Sequence, residues 1–522
     1  MLIVAALAAA GVALRLALAR QSLFADELST HWIVAGRGLG DVISVVHTDA
    51  EITPPLFFVA SWLTTRIDLA PELLRAPSLL AGAATIPLVY LLGARTVGRR
   101  AALVTAALTT CSPFMAYYAA EARGYALMVA LVLGSTLCML AAVDRGGARW
   151  WIAYAACACA AVYTHYTAVF ALAGQLGWLL WAHPEARRPA LAANAGAAVA
   201  FLPWLSGLQG DLESPTTDIL SALQPFTPTY VRTSVAHWAI GFPYATAGTA
   251  VADLPGVPAL AALALALALA AAGIARRLRT LRRPDRDLAL VIVLAASVPV
   301  GTAIASALGS NLFGTRNLAA SWPAFALCLA AFLLAAGPRL GLAAAALAIG
   351  AFAIGGLKLL DRDFQRPDYR GAAALVERSA AAGDVVVDGV SLSPAGVPTT
   401  IDLAFAGRLR VFPLGRDTVR YDPFRIVALA PSIEQVVARA VAAAGGRKLF
   451  LVVSPHARST RTALAALPDR YRAVPARTYP GINRIQVIVA RSDRERRVVA
   501  RERRAAEEPA LDREARLRHR RV

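Results

Sequence analysis

Between Phe24 and Trp32 the chain reads FADELSTHW. Two adjacent carboxylates, Asp26 and Glu27, are followed about one helical turn later by His31. The same stretch of polar sequence also holds His47, Asp49 and Glu51. Further along, YYAAEARGY places Glu121 and Arg123 among Tyr117, Tyr118 and Tyr125. YTHY carries His165, a later loop carries His237, and NLFGTRN carries Arg316. A carboxylate can take a proton from an incoming hydroxyl. An arginine fork suits a phosphate leaving group, which it can hold through two parallel bonds. Asp26 as base, with Arg123 and Arg316 as a phosphate clamp, would make a group-transfer site for a phosphate-linked donor.

Each piece also has a plain structural reading. Tyr and Trp at helix ends commonly anchor a membrane boundary. Glu27 can favour a helix N-terminus as an acidic group. Glu121 with Arg123 can be a surface pair worth about 0–1 kcal/mol. A lone histidine in a turn, such as His31 or His165, is more often structural than chemical. What argues against these readings is the collection, since the groups come from several separate loops that the topology below places on one side of a membrane.

The elements that must position these groups are mostly membrane helices. Of 522 residues, 57% are hydrophobic, against about 45–50% apolar in soluble domains. The excess comes in blocks of about 20 residues, enough to cross a bilayer. Spans are predicted at 1–19, 79–97, 101–117, 124–143, 150–164, 166–182, 189–206, 257–275, 288–307, 318–336 and 340–359, about eleven in all. The first block lacks a basic leader region and is followed by further spans, so it reads as a transmembrane helix rather than a cleaved signal. With the N-terminus inside, the inner loops RTVGRRA, DRGGAR, HPEARRP, ARRLRTLRRPDRD and GPR all contain arginine, as the positive-inside rule requires. The chemical groups then face outward. The first outer loop, about 20–78, has helical apolar spacing in LSTHWIVAGRG, LGDVISVVH and PPLFFVASWLTTRI. These pieces are too short to span and suit the interface plane. Pro54 and Pro55 suit the start of the third.

The net charge of +19 is read as topology-setting loops and a basic tail, not as a nucleic-acid footprint. The five cysteines lie in or beside apolar blocks, so no disulfide framework or zinc site is indicated. No cofactor is predicted and no metal site is assigned, although the carboxylates remain compatible with a divalent metal. The membrane part is placed at 1–360. Residues 361–491 read as a small exported α/β domain, because DYRGAAALVERSAAAGDVVVDG and IEQVVARAVAAAGGRKLFLVVSP each run from helix to strand and IQVIVAR adds a third strand. Residues 492–522 form a charged tail that reads as disordered.

Four fragments together resemble a known family. LRLALARQSLFADE, EITPPLFFVASWL, YYAAEARGYAL and TRNLAASWPAFAL, in that order, are similar to motifs of the polyprenyl-phosphate-sugar-dependent glycosyltransferases of the GT-C superfamily. The closer likeness is to glycosyltransferase family 39 in the broad sense, which includes protein O-mannosyltransferases and lipid A aminoarabinose transferases. The resemblance covers about residues 10–335. It implies a multi-span helical core, with Asp26 and Glu27 as the catalytic carboxylates. Asp26 would be the base and Glu27 a supporting or acceptor-side group. It implies Arg123, and with it Arg316, as ligands of the donor phosphate. Glu51, Glu121 and Tyr125 fall within the matching motifs, and His31 and His165 are further candidates for the same cavity. Ile52 and Thr53 stand between Glu51 and Pro54, where the family often has His or Lys. The implied activity is inverting transfer of a sugar from a polyprenyl phosphate to a hydroxyl of an envelope polysaccharide, lipid or protein, at the outer face of the plasma membrane. The alternative is a transporter or flippase of lipid-linked sugars, which should show inverted repeats and broken helices. A non-catalytic scaffold would tolerate loss of Asp26 and Arg123.

Overall fold

The computed structural model describes residues 2–24, 26–48, 51–214, 225–241, 252–277, 285–390, 400–405, 409–414, 419–422, 425–428 and 432–497. Asp49 and the tail from 498 onward lie outside the described residues. The chain divides into two compact units, Met1–Gln365 and Arg366–Val522.

The first unit is helical. It opens with α1 (Leu2–Ala19), then α2 (Asp26–Val34), α3 (Leu39–Val46) and α4 (Leu56–Thr65). The last three have 9, 8 and 10 residues, each about 12–15 Å long and far short of a bilayer. Pro55 sits at the N-cap of α4, where its missing N–H leaves no bond unmade. Next come α5 (Pro71–Leu74), α6 (Ala76–Thr96), α7 (Arg99–Cys111), α8 (Pro113–Ala119), α9 (Tyr125–Arg145), α10 (Ala148–Thr164) and α11 (Ala168–Ala182). They are followed by α12 (Arg187–Phe201), α13 (Leu205–Glu213), α14 (Pro228–Ile240), α15 (Val257–Arg277) and α16 (Arg286–Ala307). A 3-10 turn, Thr315–Ser321, leads into α17 (Trp322–Ala335), and α18 (Pro338–Lys358) closes the unit.

Among the described residues, eight helical segments are long and apolar enough to cross a membrane. Three of the eleven expected spans are shorter. The expected span at 101–117 is broken at Ser112, because Pro113 cannot continue the hydrogen-bond ladder, and it becomes α7 and α8. The spans expected at 150–164 and 166–182 are the 17-residue α10 and 15-residue α11, joined at His165–Thr167. The chain is a multi-pass membrane protein with a predominantly helical core.

Arg15, an arginine inside the first span, is 1% exposed. It donates to the Gly11 carbonyl at 3.0 Å and to the Thr109 carbonyl at 3.2 Å. Thr109 is four residues before Pro113, so its carbonyl has no partner from the helical ladder. The Arg15 guanidinium fills that gap and fastens α1 to the break between α7 and α8. Close helix approach is set by small residues. At Gly356 on α18, a Cβ would stand 2.3 Å from the Cys111 carbonyl oxygen, so only glycine fits there. Arg95 ties three helix ends together. It is bidentate to Asp144 of α9, at 2.7 and 2.8 Å, and reaches Asp287 of α16 at 2.7 Å.

The second unit is a small sheet domain. Its five-stranded sheet has the order β2-β1-β5-β7-β6, with β1 (Val385–Gly389), β2 (Arg410–Pro413), β5 (Leu449–Val453), β6 (Tyr471–Tyr479) and β7 (Ile485–Ser492). A separate hairpin joins β3 (Val419–Asp422) and β4 (Arg425–Ala428). The parallel strands β2, β1 and β5 meet the antiparallel pair β7 and β6 at the β5–β7 edge. Helix Ile433–Ala444 starts with a capping box in which Ser432 and Gln435 satisfy each other's backbone N–H. β1, β5 and β7 are the strands read from sequence. β6 was not, because its arginines and proline dilute the apolar pattern and its interior is largely exposed.

Candidate active site

The residues picked out from four separate stretches gather around the ends of α1, α2, α9 and the 3-10 turn before α17. Asp26 is the first residue of α2 and Arg316 the second of the 3-10 turn. Their side chains form a close ion pair across 290 positions of sequence. The pair is reachable: Asp26 is 37% exposed and Arg316 34%. Burial acts to raise the Asp26 carboxyl, but Arg316 and Arg123 outweigh it and hold the group below the usual carboxylate range. The Arg316 guanidinium lies 6.0 Å from the centroid of the Tyr125 ring, within cation–π range.

Arg123 lies in the turn between α8 and α9. It forms a bidentate pair with Glu51, at 2.6 and 2.9 Å. Both side chains are nearly buried. Glu51 also accepts from the Ile52 N–H at 3.1 Å and the Thr53 hydroxyl at 2.8 Å. The departure Ile52-Thr53 thus supplies donors that fix Glu51 on Arg123. Phe58 of α4 lies 5.6 Å beneath the guanidinium. Burial alone would lower the Arg123 pKa, but Glu51 more than reverses this and locks the cation in its charged form.

Glu27 is fully buried and fully engaged. Its oxygens accept from Arg75 Nε and Nη2, both at 2.6 Å, from the Ala122 N–H at 2.8 Å and from the Phe24 N–H at 3.1 Å. Arg75 sits between α5 and α6 and drew no notice in the sequence. Besides Glu27, it donates to the carbonyls of Ala19 at 2.6 Å, Gln21 at 2.7 Å and Ser22 at 3.0 Å. All five guanidinium N–H donors therefore have an acceptor. This cluster closes the C-terminal end of α1, fixes the start of α2 and grips the Ala122–Arg123 turn. Thr30 of α2 adds a bond to the Ala122 carbonyl at 2.9 Å. These contacts make Glu27 a buried tie between Arg75, the start of α2 and the Ala122 turn. The only sequence signal for Arg75 was an arginine set directly against an apolar span, in PELLRAPSLL.

His165 is buried, packs against Tyr125 with ring centroids 5.3 Å apart, and takes hydrogen bonds on Nδ1 from Thr167. Burial, then Arg123 and Arg316, push its pKa down to about 3. It is neutral at physiological pH and adds no charge to a phosphate. Between about pH 6.5 and 3 the unfolded chain binds the proton that folded His165 refuses, so stability falls on acidification. At pH 5 the wild type should have lost about 2 kcal/mol through this group relative to pH 8, whereas His165→Gln should not show that part of the loss. Thermal unfolding of both proteins at the two pH values checks it.

His31 is half-buried on α2, its Nδ1 lacks a hydrogen-bond partner among the described residues, and burial lowers its pKa. Glu121 is buried in the turn that carries Arg123. His47 bonds Ser206 at 3.0 Å and packs edge-on to Trp204, fastening α3 to the start of α13. His237 is buried on α14. Among the described residues no group of three or more His, Cys, Asp or Glu could hold a metal ion.

Residues 53–206 match the family described as dolichyl-phosphate-mannose-protein mannosyltransferase. Over that segment, less than half of the chain, the sequence is similar to that glycosyltransferase family. The segment includes Arg75, Arg123 and His165. Asp26, Glu51 and Arg316 lie outside it and join it through the contacts above. Among curated proteins, none matches significantly in sequence. Two solved structures are similar in outline. One is ArnT from Cupriavidus metallidurans bound to undecaprenyl phosphate, 15% identical, with a TM-score of 0.46 over 94% of this chain and 97% of that one. The other is the Archaeoglobus fulgidus oligosaccharyltransferase, 12% identical, with a TM-score of 0.47 over 86% of this chain and 68% of that one. At these scores the likeness bears on neither the site nor the substrate.

Proposed function

We propose that this GT-C protein moves a sugar from a polyprenyl-phosphate donor to a hydroxyl acceptor at the outer face of the membrane. The observation that carries this reading is the convergence of Asp26, Arg123 and Arg316, from three distant parts of the chain, at one partly open place. Asp26 takes the proton of the acceptor hydroxyl. The acceptor oxygen bonds to the anomeric carbon, and the bond from that carbon to the phosphate oxygen breaks with its electron pair. Polyprenyl phosphate leaves with one more negative charge than it had in the donor, and the anomeric configuration inverts. Cations held at that oxygen once the donor is bound stabilise the charge as it develops, which is where such sites gain most of their rate. Glu27 and Arg75 position Asp26, and Glu51 positions Arg123. The outward orientation rests on the arginines of the inner loops. The acceptor is a hydroxyl-bearing envelope polysaccharide, lipid or protein.

The test is to give the reconstituted protein a panel of polyprenyl-phosphate sugars, with and without a divalent chelator. The expected result is release of free polyprenyl phosphate from at least one donor. The chelator arm reads metal dependence independently. Absence of turnover or hydrolysis across the panel would overturn the reading.

A further inference from the structure

The three ion pairs around the site differ in how easily they can open. Glu27–Arg75 is wholly buried, with every guanidinium donor used. Glu51–Arg123 is nearly buried and bidentate, and Glu51 has two further donors. Parting a buried pair leaves an uncompensated charge, which is strongly unfavourable. Asp26–Arg316 is about one-third exposed on both sides, and no other hydrogen bond of either side chain anchors it among the described residues. Partly exposed pairs of this sort are weak and exchange readily. The base and one cation of the clamp are thus held by each other, while the other cation is already neutralised by Glu51.

Resting on the glycosyltransferase reading, we infer that Arg316 is an exchangeable cation: the donor's phosphate takes it from Asp26, so that donor binding itself frees the base. An acceptor arriving first meets an Asp26 carboxylate occupied by Arg316. With donor bound, the guanidinium turns to the phosphate and the carboxylate is left to accept the hydroxyl proton. As transfer proceeds, Asp26 gains that proton and loses its charge while the leaving phosphate gains one. The pull of Arg316 therefore passes wholly to the leaving group at the step that needs it. Arg123, fixed by Glu51 and Phe58, orients rather than exchanges.

The experiment measures binding of undecaprenyl phosphate to the full chain in nanodiscs. Asp26→Asn, which removes the competitor, is expected to bind it about 3- to 10-fold more tightly than wild type. Asp26→Ala should show the same gain, guarding against a fault peculiar to the amide. In an Arg316→Gln background the gain should vanish, since the cycle isolates the coupling between the two positions. Equal or weaker binding by both Asp26 variants would overturn exchange while leaving the transferase reading standing. So would a gain that persists without Arg316, because only general charge repulsion would then be at work. Failure of every protein, wild type included, to bind the lipid phosphate would remove the donor-site reading itself and the inference with it.

Discussion

Asp26→Asn is expected to slow sugar transfer by roughly 10²–10⁴-fold, the usual contribution of a positioned general base. The amide keeps the size of the side chain and cannot accept the hydroxyl proton as the carboxylate does. Asp26 is the first residue of α2, is 37% exposed and has Arg316 as its ion-pair partner, so the substitution removes no buried contact. Expression and thermal stability should stay near wild type, and donor binding should be retained and, through the release of Arg316, tightened. Single-turnover measurements with saturating donor separate the chemical step from binding. A variant that transfers at the wild-type rate would remove Asp26 from the base position.

The largest loss of stability is expected at the Glu27–Arg75 pair. Glu27→Gln leaves Arg75 as an uncompensated charge in a fully buried setting, and breaking such a pair usually costs about 3–5 kcal/mol. Arg75→Lys should be nearly as damaging. An ammonium has three donors, whereas the site uses five. Thermal unfolding in detergent would show both variants well below wild type. Activity should fall as well, because the same cluster fixes the start of α2 and the Ala122–Arg123 turn. If Glu27→Gln kept full stability but lost transfer, Glu27 would have to be moved from positioning to direct contact with the acceptor.

Much of the membrane core was legible in the sequence because a bilayer imposes a strict local rule. A helix that crosses it must be apolar over about 20 residues, and blocks such as Leu2–Ala19 and Pro338–Lys358 meet that rule on their own. The breaks were harder. Pro113 sits in an apolar run, and hydropathy does not register the loss of one N–H. The short helices α2, α3 and α4 showed through their apolar spacing. β1, β5 and β7 showed as short apolar runs, while β6 was hidden by its exposed arginines.

For the site, residue types and motif order alone selected Asp26, Glu27, Glu51, Arg123 and Arg316. Their partnerships could not be read there. From sequence Glu27 reads as a supporting or acceptor-side carboxylate or as a helix-start group, and only the fold shows it buried against Arg75. Nothing in the sequence shows that Arg123 is paired with Glu51. Ion pairing depends on distance in space and on how much water remains between the charges. Sequence separation carries neither quantity, as the 290 positions between Asp26 and Arg316 show. The sequence by itself thus determined a multi-pass helical protein and the kinds of group at its site. The tertiary structure decided which carboxylate is locked in the interior and which is left at the opening, because only packing controls access to water.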